Sequence, residues 1–221
     1  MTTPHDAVLH LQDLGFAYPA QPPLATRWTT SIGAGITLLH GDTGSGKSTL
    51  LRIMAGTLAA TGRLSIAGIR LDTAAEAYRR NVFFIDPDTD AFDKVTALEC
   101  SASLRDGDTH FDAFRWQALV EGFALTPHIG KPMFMLSTGS KRKVWLAAAL
   151  ASSRPLTLLD EPTGGLDAAS IRCLWRTLAG MSRESGRAVV VASGERVTGI
   201  PLAATIELPL QTGARHAQRQ G

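Results

Sequence analysis

The sequence predicts an α/β fold: a mostly parallel sheet with helices on both faces, an antiparallel β edge and an inserted α-helical subdomain. Three observations carry this expectation. Short apolar runs bounded by turn residues, at 36–40, 82–85, 156–160 and 188–192, read as buried strands. Segments of helical period alternate with them, as parallel strands joined by crossover helices require. The stretch Gly41-Asp42-Thr43-Gly44-Ser45-Gly46-Lys47-Ser48-Thr49 lies between the first of these strands and an apolar helical run that Gly56 stops.

Taken in order, Val8, Leu9 and Leu11 lead into Phe16-Ala17-Tyr18-Pro19 and the proline turn Gln21-Pro22-Pro23, which predicts an edge strand running into a loop. Gly33-Ala34-Gly35 breaks the chain before the strand at 36–40. The strand at 82–85 ends in the turn Asp86-Pro87-Asp88-Thr89-Asp90. From 96 to 130 the composition is helical, with Phe111, Phe114, Leu119 and Phe123 as an irregular apolar face. A further helix at 139–151 is basic at its start and apolar afterwards. After the strand at 156–160, Ile171, Leu174, Trp175, Leu178 and Met181 recur at helical spacing before the last strand. The expected organisation is one domain. Segments 1–86 and 154–212 form its α/β core, 87–153 the helical insertion and 213–221 a solvated tail.

Composition excludes several classes. A net charge of +2 leaves no broad basic footprint, so nucleic acid is not an expected partner. Hydrophobic residues at 44% and charged ones at 19% describe a packed domain, not a disordered chain. The two cysteines, Cys100 and Cys173, lack the spacing of a disulfide framework or a zinc site, which suits a reducing, intracellular setting. The apolar stretch at 144–151 is far shorter than the roughly 20 residues of a membrane-spanning helix. Nor does the start of the chain have the pattern of an export signal. If the protein works at a membrane, another subunit is expected to hold it there.

The chemistry is concentrated in two places. Residues 41–48 fit G-x-x-x-x-G-K-[ST], in which glycines let main-chain N–H groups turn inward around phosphate oxygens at the start of a helix. Gly41, Asp42, Thr43, Gly44, Ser45, Gly46 and Thr49 are therefore candidate nucleotide contacts. Lys47 is expected to reach the β- and γ-phosphates, and the Ser48 hydroxyl to ligate Mg²⁺. Asp160 ends an apolar strand and is a second candidate for the same ion. Glu161 follows and points elsewhere, as a candidate general base for an attacking water. An Asp-Glu pair alone is most simply a solvated turn. Here it gains weight from the strand before it and from Pro162-Thr163-Gly164-Gly165-Leu166-Asp167 behind it.

At this point the chain resembles one family, the ATP-binding cassette ATPases that serve as nucleotide-binding subunits of ABC transporters. Residues 159–167 look like the family's Walker B and D-loop run, and Leu136-Ser137-Thr138-Gly139-Ser140 looks like its L-S-G-G-Q signature. Tyr18 matches the aromatic residue that stacks on adenine, and Thr96-Ala97-Leu98-Glu99 a stretch common near the start of the helical subdomain. The similarity runs from about 8 to 208. It implies binding of ATP with Mg²⁺ and hydrolysis coupled to a separate transmembrane subunit, with this chain peripheral on the cytoplasmic face of the membrane. It also implies a head-to-tail homodimer or heterodimer, in which Ser137 and Gly139 of one cassette touch the γ-phosphate held by Lys47 of the other. Length and the 96–99 run most resemble short subunits such as those of haem-export or lipoprotein-release systems.

Three departures stand out. Where the family has Gln after the strand at 82–85, near the metal and the water, this chain has Asp86. Where it has a switch His after the last strand, Ser193 stands, and none of the six histidines falls there. Thr138 and Ser140 replace a glycine and the glutamine of the signature. Loss of one preorganised transition-state donor typically costs about 3–4 kcal/mol, or 10²–10³ in rate. Two expectations follow: an ATPase that uses these residues instead and is either normal or slow, and a nucleotide-dependent dimerising switch or scaffold with little hydrolysis. Elsewhere the expectations are structural. Met133, Met135, Trp145 and Trp175 are packing residues, and Lys141-Arg142-Lys143 is a solvated first turn.

Overall fold

The structure, a computed structural model, describes residues 7–87, 89–182 and 186–210. The expected tail at 213–221 lies outside the described residues, as do 1–6 and position 88 of the expected turn. The chain begins with strands β1 (Ala7–Phe16), β2 (Ala25–Gly33) and β3 (Gly35–His40), then helix α1 (Lys47–Met54). Next come β4 (Thr61–Ile66), β5 (Ile69–Arg70), α2 (Ala75–Arg80) and β6 (Val82–Phe84). Three helices follow, α3 (Ala97–Leu104), α4 (Ala113–Gly122) and α5 (Thr138–Ala151), and then β7 (Leu156–Asp160), α6 (Ala168–Met181), β8 (Ala188–Ser193) and β9 (Ala204–Glu207).

Strands β6-β7-β8-β3-β9 form a sheet in which every pairing is parallel, and β2-β1-β4-β5 a second that is antiparallel throughout. The mixed α/β class and the antiparallel component are both present. The parallel sheet is covered on both faces, which is why its strands read as unbroken apolar runs. Leu159, Val189 and Val191 pack with α5 and α6 in one cluster. Their neighbours Leu158, Val190 and Ala192 face α1 and the antiparallel sheet in the other. Alternation is therefore real, but both sides are buried.

Four expectations change. The first strand is no edge, because β1 lies between β2 and β4 with Val8, Leu9, Leu11 and Leu14 buried. Its pairing shifts register near Asp13, a non-glycine at φ 52°, and this bulge breaks the period-two pattern. Strand β9 has no counterpart among the expected strands: of its four residues only Ile206 is buried. The proposed face of the helical insertion holds in part, since Leu119 and Phe123 are buried while Phe114 is 92% exposed. Met133 is buried, but Met135 is exposed and not a packing residue.

Two local features explain the helical insertion. The Thr96–Glu99 run is a capping box: Glu99 N–H donates to Thr96 Oγ1 (3.2 Å) while Thr96 N–H donates to Glu99 Oε2 (2.8 Å). Helix α5 is buried continuously from Val144 to Ala151, so it is apolar on every side over its last two turns. Cys100 and Cys173 are buried free thiols, and burial pushes the Cys100 thiol up to about 11.

Candidate functional site

Register places the site. His40 at the end of β3 pairs with Ser193 of β8, and Ala192 pairs with Asp160 of β7, so three strands end side by side. The loops that leave them, starting at Gly41, Glu161 and Gly194, share the walls of a cleft of about 580 Å³. This is where ligands bind in open parallel sheets, outside the carboxyl ends of the strands.

The loop from β3 to α1 follows from its glycines. Gly44 and Gly46 hold φ of 79° and 98°, left-handed values that side chains rarely adopt. A Cβ on Gly46 would also stand 2.4 Å from Leu24 Cδ1. Gly46 precedes α1 without a side-chain cap, which leaves the first N–H groups of the helix for an anion. Lys47 is folded into the cleft and buried. Its Nζ donates to the carbonyls of Gly41 (2.7 Å) and Asp42 (3.1 Å) and pairs with Glu161 Oε1 at 3.2 Å.

Opposite stand the two acids. Asp160 lies near enough to Ser48 for the hydroxyl to lower its carboxyl, and its Oδ1 is buried with no partner among the described residues. Burial is the largest influence on this carboxyl and raises it above the usual carboxylate range. The adjacent Glu161 adds to the rise, while Ser48, Lys47 and Arg52 pull it back. An orphaned carboxylate oxygen beside a hydroxyl fits a hard cation that takes oxygen ligands and completes its shell with water and phosphate. Glu161 is a non-glycine at φ 41°. Its N–H donates to Ala192 O (2.9 Å), and its Oε1 accepts from Gly194 N–H (3.0 Å). Strain of this kind persists where surrounding bonds over-determine it.

The other expected residues divide. Tyr18 reaches the start of α1 through its hydroxyl, 3.1 Å from Thr49 Oγ1, with Phe16 edge-on at 4.9 Å and the ring 41% exposed. Ser193 lines the cleft, but its Oγ accepts from Glu195 N–H (3.0 Å) and so caps the turn. Asp86 is not in the cleft wall. Both its oxygens bind Arg52, at 2.9 and 3.2 Å, so the expected approach to the metal is replaced here by an ion pair with α1.

Ser137 and Gly139 are also absent from the cleft wall. Ser137 is exposed and caps α5: Ser140 N–H donates to its Oγ (3.2 Å), which in turn donates to Ser140 Oγ (3.1 Å). A Cβ on Gly139 would lie 2.3 Å from Gly165 O, so the helix tip packs directly on the loop that follows Glu161. The three cations behind it are not a solvated turn. Lys141 pairs with Asp93, Arg142 donates to the Gly164 carbonyl and Lys143 binds Asp167 Oδ2 at 2.6 Å. Asp167 also caps α6 by accepting from Ser170 N–H (2.8 Å), and Lys143 and Ser170 together hold its carboxyl far below the usual range. Sequence reasoning missed Arg52, this brace and Gly194. The last works through its main chain, which leaves no mark in a sequence.

Residues 29–164 match the family described as ABC transporter. Among curated relatives, the chain is 38% identical over 170 residues to a cytochrome c biogenesis ATP-binding export protein, CcmA, of Rhodospirillum rubrum, covering 74% of this chain and 70% of that one. It is 35% identical over 201 residues to a nickel import ATP-binding protein, NikO, of Rhodobacter capsulatus, covering 83% and 78%. A solved ATP-binding subunit of an ABC transporter superposes with a TM-score of 0.71 at 26% identity, covering 84% of this chain and 79% of that one.

Proposed function

The chain belongs to the ABC transporter family as one of its ATP-binding, ATP-hydrolysing subunits, and on that premise we propose that it closes on MgATP between two cassettes arranged head to tail. In this reading the main chain of the 41–49 loop and Lys47 hold the phosphates, and Tyr18 lies against the adenine. Ser48 and Asp160 hold Mg²⁺, which supplies charge neutralisation on the phosphate oxygens. Glu161 takes the proton of the attacking water. Ser137 and the N–H groups at Gly139 of the second cassette meet the γ-phosphate from the far side.

One observation carries this reading. The phosphate loop, Lys47 and Glu161 converge in one cleft, while Ser137 faces outward from a braced helix tip elsewhere on the chain. A group that is exposed, capped and rigidly seated suits contact with a neighbouring molecule. No helix among the described residues is long and apolar enough to cross a membrane. The reading places the transport path in a separate transmembrane subunit, with the 87–153 segment beside it and this chain on the cytoplasmic face.

The test is phosphate release by the purified chain with ATP and Mg²⁺, read beside light scattering. Turnover that is lost in Glu161→Gln, together with an ATP-dependent dimer of that variant, is the expected result. Full turnover in Glu161→Gln would refute the assignment of the base. A monomer at saturating ATP would refute pairing of like chains.

A further inference from the structure

At the end of β8 the family resemblance sets a histidine, and this chain has Ser193, whose hydroxyl is spent on Glu195 N–H (3.0 Å). We propose that the main-chain N–H of Gly194 is the group that positions Glu161. The proposal rests on Glu161 being the base.

The geometry supports it at both ends. Glu161 Oε1 has two neighbours among the described residues: Lys47 Nζ at 3.2 Å and Gly194 N–H at 3.0 Å. A nucleotide competes for Lys47, because phosphate oxygens are stronger acceptors for an ammonium than its present carbonyl partners. Gly194 N–H has Glu161 Oε1 as its acceptor among the described residues. Once Lys47 turns to phosphate, its N–H is the contact that keeps the carboxylate aimed into the cleft. A main-chain donor also loses no side-chain entropy on doing so.

The donor itself is fixed. Ser193 O accepts from Gly41 N–H (3.4 Å), which ties the turn to the phosphate loop. Further along, Arg196 pairs with Glu207 at 3.1 Å, and Glu207 with His40 at 2.7 Å, the residue just before Gly41. The turn after β8 is thus fastened at two points to the strand that carries the loop. A Cβ on Gly194 would find its nearest neighbour at 3.7 Å, an ordinary contact, so alanine fits there and keeps the N–H.

The experiment removes the donor, and in the ester it also weakens the Ser193 carbonyl that accepts from Gly41 N–H. Residue 194 is replaced by glycolic acid, which turns the amide into an ester, with Gly194→Pro as the simpler variant and Gly194→Ala as the conservative one. Expected is a fall in kcat of about tenfold to a hundredfold for the ester and for proline, at unchanged KM and ATP affinity, and near-normal kcat for alanine. Should the proline variant fail to melt cooperatively, the ester decides. Full kcat in the ester overturns the proposal, and so does an alanine variant as slow as the ester. If Glu161→Gln is inactive while the ester is active, only this inference fails. If Glu161→Gln is active, the reading of the base fails with it.

Discussion

Helix α1 starts from a glycine with no side-chain cap, inside a concave cleft, with a buried lysine and an orphaned carboxylate oxygen beside it. Helix α5 starts from a serine that caps its own first turn on an exposed surface, with three cations behind it all engaged. The first lacks partners that a phosphate, by accepting hydrogen bonds, and a cation, by coordination, would supply. The second is capped at Ser140 and braced by its cations within its own chain, and its value to a ligand depends on being carried there as a rigid piece. At the start of α1 an uncapped helix and an orphaned oxygen mark a place to bind, whereas at the start of α5 the side chains are held in shape to be presented.

The largest effect that would sharpen this contrast is Lys47→Ala. It removes the buried cation from the unsatisfied half and is expected to weaken ATP binding by roughly a hundredfold or more, read by nucleotide titration. Unchanged affinity would break the comparison at its first term. Next comes Glu161→Gln, with turnover expected to fall by about 10²–10³ while ATP still binds, since general-base catalysis contributes on that scale. Equal losses of binding and turnover would mean that Glu161 holds the ligand instead.

In the second half, Gly139→Ala forces a Cβ against the Gly165 carbonyl and is expected to cost about 1–3 kcal/mol in urea unfolding. A wild-type midpoint would show that the helix tip is not seated as described. The smallest effect concerns Asp167. Its folded carboxyl is held below the unfolded value near 4, so the unfolded state binds more protons as the pH falls. The stability it contributes is therefore fully present above about pH 4 and is lost on acidification below that. The difference in urea midpoint between the parent and Asp167→Asn is expected at pH 7 and to shrink at pH 3. A difference independent of pH would assign the effect to shape, not charge.

The parts of this molecule that could be read from the sequence are those whose physics is local. Buried parallel strands announce themselves as apolar runs, and the Gly44–Gly46–Lys47 spacing has one backbone solution. Hence β3, β7 and β8 and the cleft they end in were expected where they stand. What escaped depends on distant partners. Strand β1 was expected, but its interior place is obscured by the bulge at Asp13, and β9 hides behind exposed flanks, since a four-residue strand with one buried side chain has no periodicity to detect. Asp86 reads as a possible metal contact until Arg52, 34 positions earlier, is seen to claim it. Lys141, Arg142 and Lys143 read as solvated until their acceptors arrive from two distant segments, Asp93 and the loop at 164–167.

The left-handed backbone of Glu161 has a consequence for any attempt to harden this protein. Glycine at that position would relieve the twist, so a library screened only for heat tolerance should enrich it, while on the proposed reading of Glu161 as the base every such survivor forfeits the reaction. At this one codon, robustness and usefulness are selected in opposite directions.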